Sequence, residues 1–85
     1  MLKPPLDLAP VDGVLTEYDE DYPVTYLRLL DAAEEGADWC EVSRIVLHRD
    51  PDAEPGRTRR AYDSHLARAR WMSEEGYQWM LREPG

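Results

Sequence analysis

Several residue types that mark particular classes of protein are scarce or missing in this chain of 85 residues. The single cysteine, Cys40, excludes a disulfide within the chain and fits a reducing compartment. No apolar run is long enough to span a bilayer, and the N-terminal MLKPPLDLAP has neither the apolar core nor the cleavage site of a signal peptide. These absences indicate a cytoplasmic protein.

The sequence also lacks the residue patterns of metal sites and catalytic centres. His48 and His65 lie 17 positions apart and no second cysteine is present, so the zinc-ligand spacings fail. The acids of DPDAE alternate like those of a calcium-binding EF-hand loop, but Pro55 occupies the position that requires glycine. No glycine-rich elbow or phosphate loop frames a serine or the cysteine. We expect neither an enzyme nor a bound metal or cofactor.

Basic residues are few in the first half of the chain. Residues 1–50 carry 4 basic and 12 acidic side chains, whereas residues 51–85 carry 6 of each, so the formal net charge of -8 arises in the first half. A nucleic-acid-binding protein gains much of its affinity by neutralising phosphates. The charge therefore argues against strong DNA binding and favours a basic protein surface as the partner.

What the chain does contain is helical periodicity. Its length allows one domain, and no segment alternates with the period of a strand. We predict an all-α fold, a compact domain of three to four helices at residues 18–83. Prolines and Gly13 predict an extended or flexible arm at residues 1–17.

Local signals set the predicted helix bounds. The first helix is predicted to begin near Asp19–Asp21, because Pro23 suits a first turn, and to end at Gly36, because glycine tolerates a left-handed conformation. The second spans residues 38–47, with Asp38 and Glu41 spaced as a capping box. Its predicted buried residues are Trp39, Val42, Ile45 and Val46.

The third and longest helix is predicted to start from a cap at Asp52 or Glu54 and to stop at Gly76, with residues 77–82 adding one or two further turns. On a helical wheel one arc of it should face the core. The residues of this inner face are Ala61, Tyr62, His65, Leu66, Ala69 and Met72.

The outer side of the third helix is the predicted contact surface. Segment 57–72 holds five of the chain's ten basic residues and one acid. Its outer stripe combines small residues with an arginine and a tryptophan, the types enriched in interface hot spots. The predicted partner-binding residues are Arg57, Arg60, Ser64, Ala67, Arg68 and Trp71, with a secondary acidic group of Glu17, Asp19, Glu20 and Asp21. Trp71 could instead fold back onto Tyr77, Trp79 and Met80, and the acids could simply mark a helix start.

A short helix, a turn and a longer helix with an exposed arginine face form the outline of a helix-turn-helix, here with a long connection. The segments that carry a family resemblance are YLRLLDA (26–32), GADW (36–39), RIVL (44–47) and RRAYDSHLARARWM (59–72). Together they resemble a proteobacterial family of helix-turn-helix variants, first catalogued as a domain of unknown function, which occurs in regulators of integrative and conjugative elements.

The freestanding, QseM-like members of that family are antiactivators. The resemblance implies a protein that binds a transcriptional activator, of the FseA type or a TraR-like quorum-sensing regulator, and represses element excision and horizontal transfer without binding DNA strongly. The alternative is a small helix-turn-helix regulator that inserts the third helix into the major groove. A homodimer could point the acidic half away from DNA, so the oligomeric state stays open.

Overall fold

A computed structural model of the protein describes residues 7–76, and the structural statements below concern that part of the chain. It contains four α-helices, no strand, and a final π-helical turn. The elements are α1 (Glu17–Asp21), α2 (Pro23–Glu34), α3 (Trp39–Val46), α4 (Pro55–Trp71) and the π turn (Met72–Gly76). The predicted all-α class is confirmed. Between residues 7 and 76, none of the helices has both the length and the apolar character that crossing a membrane requires.

The first predicted helix is in fact two. Tyr22 has φ -124° and ψ 40°, outside the helical region, and it separates α1 from α2. The reason is Pro23, which disfavours a helical conformation in the residue before it while fitting well at the first position of the next helix. The helical pattern also begins earlier than predicted, at Glu17.

A capping box lies at Thr16, where the sequence analysis did not place one. The Thr16 hydroxyl accepts a hydrogen bond from the Asp19 amide at 3.3 Å, and the Asp19 carboxylate accepts one from the Thr16 amide at 2.9 Å. Asp38 makes no side-chain cap and uses only its backbone carbonyl, which accepts from the Val42 amide. The predicted capping box at Asp38 is therefore wrong.

Two residues with positive φ end the middle helices. Gly36, with φ 71°, follows α2, and the Ala37 amide donates back to the Ala32 carbonyl, so the predicted left-handed stop is confirmed. After α3 the same role falls to His48, with φ 57°. The Arg49 amide then donates to the Ser43 carbonyl.

The core forms where α2 and α3 meet the inner face of α4. Leu29 of α2 and Val42 of α3 lie against it, together with Leu47 just after α3. The predicted inner residues of α4 are buried, except Met72, which is half-buried. Ile45 was predicted to be buried but is 64% exposed, because the inward arc of α3 passes through Val42 and Ser43 instead. That prediction is wrong.

The described part of the N-terminal arm, residues 7–16, lies along one side of α4. Asp7 forms ion pairs with Arg49 at 2.6 Å and with Arg57 at 2.7 Å. The Ala9 amide donates to the Ser64 hydroxyl at 3.1 Å, and Ala9 itself is buried. The arm is thus attached to α4 by polar contacts along its length, and its side chains Leu8 and Val11 remain exposed.

Candidate protein-interaction surface

Helix α4 presents a continuous exposed stripe on the side opposite the core. Its members recur every three or four residues, the spacing of one helix face. They are Gly56, Arg59, Arg60, Asp63, Ala67 and Arg70. Of the predicted contact residues, Arg60 and Ala67 lie on this stripe. Because the inner face of α4 packs firmly on α2 and α3, the stripe is held on a rigid element.

Arg59 is fixed at the border of the stripe. Its guanidinium donates to both carboxylate oxygens of Asp63, at 3.1 and 3.2 Å, one helical turn further along. It also lies 4.9 Å from the ring centroid of Trp39 and 5.7 Å from that of Tyr62, within range of cation–π attraction. These contacts leave Arg60 and Arg70 as the arginines of the stripe that have no carboxylate partner within residues 7–76.

Two predicted contact residues, Arg57 and Ser64, lie against the arm. Arg57 is exposed, but its guanidinium pairs with Asp7 and also with Glu54 at 3.2 Å. The hydrogen bonds from Arg57 lower the pKa of Asp7, and the same contacts raise the pKa of Arg57. The Ser64 hydroxyl accepts from the arm and donates to the Ala61 carbonyl at 3.1 Å. A partner would have to displace the arm to reach Ser64.

Arg68 was predicted at the rim of the exposed stripe, and that position is wrong. Arg68 is only 4% exposed to solvent. Asp19, which was predicted as part of an acidic contact group, is 0% exposed. The Arg68 guanidinium donates to the two carboxylate oxygens of Asp19, at 2.9 and 2.6 Å. It also donates to the carbonyls of Asp12 and Val14 in the arm. Neither side chain is available to a partner in this conformation.

Both carboxylate oxygens of the buried Asp19 accept hydrogen bonds. Besides Arg68, its carboxylate accepts from the Tyr26 hydroxyl at 2.8 Å and from the Thr16 amide and hydroxyl at 2.9 and 3.0 Å. Burial alone would raise the pKa of Asp19, but the hydrogen bonds from Arg68, Thr16 and Tyr26 outweigh it and lower that pKa. Burial, reinforced by the hydrogen bond to Asp19, raises the pKa of Tyr26. The carboxylate therefore stays ionised and the phenol neutral. We call these four residues the Asp19–Arg68 cluster.

Trp71 is half-buried at the end of α4. The Arg68 guanidinium carbon lies 3.9 Å from the centroid of its ring, so the indole covers the outer side of the Asp19–Arg68 cluster. The alternative prediction, that Trp71 packs on Tyr77, Trp79 and Met80, concerns residues outside the described part of the chain. Trp71 keeps an accessible edge beside the exposed stripe.

The rest of the predicted acidic group is on the surface. Glu17, Glu20 and Asp21 are exposed on α1, while Asp19 alone points inward. Three carboxylates thus project from a short helix of five residues. They are on a different helix from the arginine-bearing stripe of α4.

A buried histidine lies beneath α1. His65 is fully buried, and its Nδ1 lies 2.7 Å from the Ala61 carbonyl, which can only accept, so Nδ1 carries the proton. Nε2 then accepts from the Tyr18 hydroxyl at 2.6 Å. Burial lowers the pKa of His65, although the hydrogen bond to Ala61 opposes this change. The ring is neutral at pH 7 and belongs to the framework of the fold.

An apolar groove between α2 and the end of α4 was not foreseen as a surface. It has a volume of about 270 Å³ and is lined by Pro23, Tyr26, Leu27, Leu30, Ala69, Met72 and Ser73. The sequence analysis placed Met72 on the inner face of the third helix, toward the core. One signal of the groove was present: the apolar positions of the first helix are spread too widely around the wheel for all of them to face one neighbour.

No cluster of three or more His, Cys, Asp or Glu side chains able to hold a metal ion occurs among the described residues. No protein-family model and no curated protein matches the chain. The likeness to the helix-turn-helix-variant family therefore rests on the sequence segments quoted above.

Proposed function

We propose that this protein is a transcriptional antiactivator that acts in the cytoplasm. It binds a transcriptional activator by protein–protein contact and so represses excision and conjugative transfer of a mobile element. The sequence resemblance supports an activator of the FseA type, or a TraR-like quorum-sensing regulator, as the partner. The distribution of charge supports a protein partner rather than DNA.

The observation that carries the proposal is the internal pairing of the arginines. Of the eight arginines between residues 7 and 76, five form ion pairs with carboxylates of the same chain. These are Arg44, Arg49, Arg57, Arg59 and Arg68. The affinity of a DNA-binding protein depends on how many cations it brings to the phosphates. Arg28, Arg60 and Arg70 form no such pair within residues 7–76, and the formal net charge of -8, which already includes them, leaves a large excess of acid.

The exposed acids of α1 supply the attraction to a protein partner. Glu17, Glu20 and Asp21 present negative charge toward a basic surface, such as the DNA-facing or polymerase-facing side of an activator. Complementary charge of this kind chiefly accelerates encounter. Affinity then comes from packed contacts, for which the stripe around Arg60 and Ala67 and the edge of Trp71 are the candidates. A partner held in this way cannot use the same surface for DNA, polymerase or its own self-contacts.

The direct test is an anisotropy titration of labelled promoter DNA at low salt, with the protein alone, the activator alone and both together. The expected result is that the protein alone leaves the DNA free and removes or blocks the activator. Arg60→Ala and Trp71→Ala should weaken this effect, whereas Arg44→Ala, an exposed arginine on α3, serves as the matched control. Sequence-specific binding of the DNA by the protein alone would overturn the proposal.

One observation favours the second candidate function, a small DNA-binding regulator. The exposed stripe of α4, the longest helix, carries Arg60 and Arg70, and the order of α3, a connection of residues 47–54 and α4 is that of a helix-turn-helix with a long turn. Under this alternative, DNA affinity falls steeply with salt, and Arg60→Ala weakens it without any activator present. A homodimer would be needed to hold the acidic first half of each chain away from the duplex.

A further inference from the structure

The apolar groove between α2 and the end of α4 is open to solvent. Leu27, on its α2 wall, is 61% exposed, and its neighbour Val24 is 58% exposed. A second hollow of about 350 Å³ adjoins the groove and shares Leu30 and Ser73 with it. Single exposed apolar side chains are ordinary, but a contiguous apolar surface is typical of a binding site.

Charged residues border this groove, and most of them are acidic. Glu34 lines the second hollow together with Arg70. Asp31 is exposed on the α2 side, and Glu74 and Glu75 are exposed in the π turn that contributes Met72 and Ser73. The basic residues nearby are Arg28 and Arg70, so the border has an excess of negative charge.

The shape of the groove matches a helix. It follows α2 from Pro23 to Ala33, a rise of about 15 Å at 1.5 Å per residue. A groove of this kind receives an amphipathic helix through apolar side chains at i, i+3 or i+4, and i+7. An acidic border selects a helix whose apolar stripe is flanked by arginine or lysine.

We propose that this groove binds an amphipathic helix with basic flanks, and that the helix belongs to the activator. This inference rests on the proposed function and adds to it the place and chemistry of the main apolar contact. Leu27, Leu30 and Met72 receive the apolar stripe of the partner helix, while Asp31, Glu34 and Glu74 face its basic flanks. The acids of α1 then act in the encounter and the groove in the bound complex.

The first test uses a synthetic peptide and the full-length protein. The probe is a helical peptide of about 14 residues, about 21 Å long, with leucines at groove spacing and arginines beside them. Its counterpart carries glutamate in place of every arginine. In amide chemical-shift mapping by NMR, the basic peptide should shift residues 24–34 and 69–75, and the acidic peptide should not. Binding of both peptides alike, or of neither, would overturn the inference.

Two matched variants locate the contact. Leu27→Arg and Ile45→Arg add the same charge at positions of nearly equal exposure, 61% and 64%, but only Leu27 lines the groove. Because both side chains point to solvent, both variants should fold, which circular dichroism verifies. Leu27→Arg should weaken binding of the basic peptide and of the activator about tenfold or more, and Ile45→Arg less than about threefold. Equal effects of the two variants would contradict the assignment.

The outcomes separate this inference from the proposed function. If the activator binds the protein but Leu27→Arg binds it equally well, the groove assignment fails and the antiactivator proposal stands. If the basic peptide binds in the groove but the activator does not bind the protein, the proposed function and the activator as source of the helix both fail, and only the groove chemistry survives. Contacts from the Leu27 methyl groups to residues 77–85 in the free protein would make the chain's own C-terminal residues the occupant. If the free protein is a dimer and Leu27→Arg dissociates that dimer, the occupant of the groove is a second copy of the chain. Either result overturns the inference.

Discussion

Arg68 and Asp19 lie 49 positions apart in the chain and form a bidentate ion pair. The Arg68 Nε lies 2.9 Å from the Asp19 Oδ1, and the Arg68 Nη2 lies 2.6 Å from the Asp19 Oδ2. The same guanidinium holds two carbonyls of the arm, and the same carboxylate holds Thr16 and Tyr26. Two residues that the sequence marked as partner contacts therefore bind each other. They join the arm, α1, α2 and α4.

Removing Arg68 should destabilise the protein severely. Arg68→Met leaves the Asp19 carboxylate buried without its counter-ion, which costs about 3–5 kcal/mol of unfolding free energy. Arg59→Met is the matched control, because its ion pair with Asp63 is exposed and worth less than about 1 kcal/mol. Urea unfolding measures both. The double variant Asp19→Asn with Arg68→Met should lose less than the sum of its parts. Equal costs for the two arginine variants would contradict this role.

Stability should fall as the pH drops below about 6.5, the ordinary pKa of histidine. Burial lowers the pKa of His65 in the folded protein, so the unfolded chain takes up a proton at a higher pH than the folded one. The stabilisation is complete above the unfolded pKa and is lost as the pH falls toward the folded value. His65→Gln should flatten the slope between pH 7 and pH 5. A second loss below about pH 4 belongs to Asp19 and Asp7, whose folded pKa values are also lowered.

Ser43→Ala should leave the protein as stable or stabilise it by about 1 kcal/mol. The Ser43 hydroxyl is buried and has no hydrogen-bond partner among the described residues, a state that costs about 1–3 kcal/mol. Ser64→Ala is the contrasting change. It removes the acceptor of the Ala9 amide and should cost about 1 kcal/mol. In thermal unfolding, Ser64→Ala should lower the melting temperature, and Ser43→Ala should leave it unchanged or raise it. A large loss for Ser43→Ala would show that its oxygen has a partner.

The two candidate helix caps can be compared by one substitution each. Thr16→Ala removes a capping hydroxyl that both donates to and accepts from Asp19, at an expected cost of about 1–2 kcal/mol. Asp38→Ala removes a side chain that makes no capping bond and should change the unfolding free energy by less than about 0.5 kcal/mol. Denaturant titration measures the unfolding free energy of both variants. A larger loss for Asp38→Ala would restore the cap predicted from sequence.

Under the proposed function, the acids of α1 should govern the rate of association. Glu17→Gln combined with Glu20→Gln removes two exposed charges and should lower the association rate with the activator severalfold at low salt, with little change in dissociation. Stopped-flow measurements at two salt concentrations separate these effects, because screening should abolish the difference. The control is Glu41→Gln combined with Glu35→Gln, two exposed acids outside α1. A faster dissociation as the main effect would place these acids in the bound interface instead.

Periodicity was enough to predict the helical class and the inner face of α4, because burial of that face depends on spacing alone. It failed at Ile45, because Ser43 takes the inward position and hydrophobicity does not reveal which arc of a short helix meets its neighbour. No local signal marked His48 as the residue that adopts φ 57° after α3, because glycine is the usual residue in that conformation. Local signals indicate which residues could cap or end a helix, but the surrounding structure decides which of them does so.

The candidate site was predictable to a smaller extent. Arg60 and Ala67 lie on the exposed stripe as the wheel required, but the wheel of one helix contains no information about the arm. The burial of Arg68 comes from contacts with residues 49 to 56 positions away. One partial signal existed in the sequence, since Thr16 and Asp19 have the spacing of a capping box.

The attachment of the arm to α4 has a consequence for how the chain is made. Residues 7–14 are translated about 50 residues before their partners Arg57, Ser64 and Arg68, a delay of several seconds at about 5–20 residues per second. Until then the nascent arm has no α4 to bind, and α1 lacks the counter-ion of Asp19. Residues 7–14 can therefore take their place against α4 only after most of that helix has been synthesised.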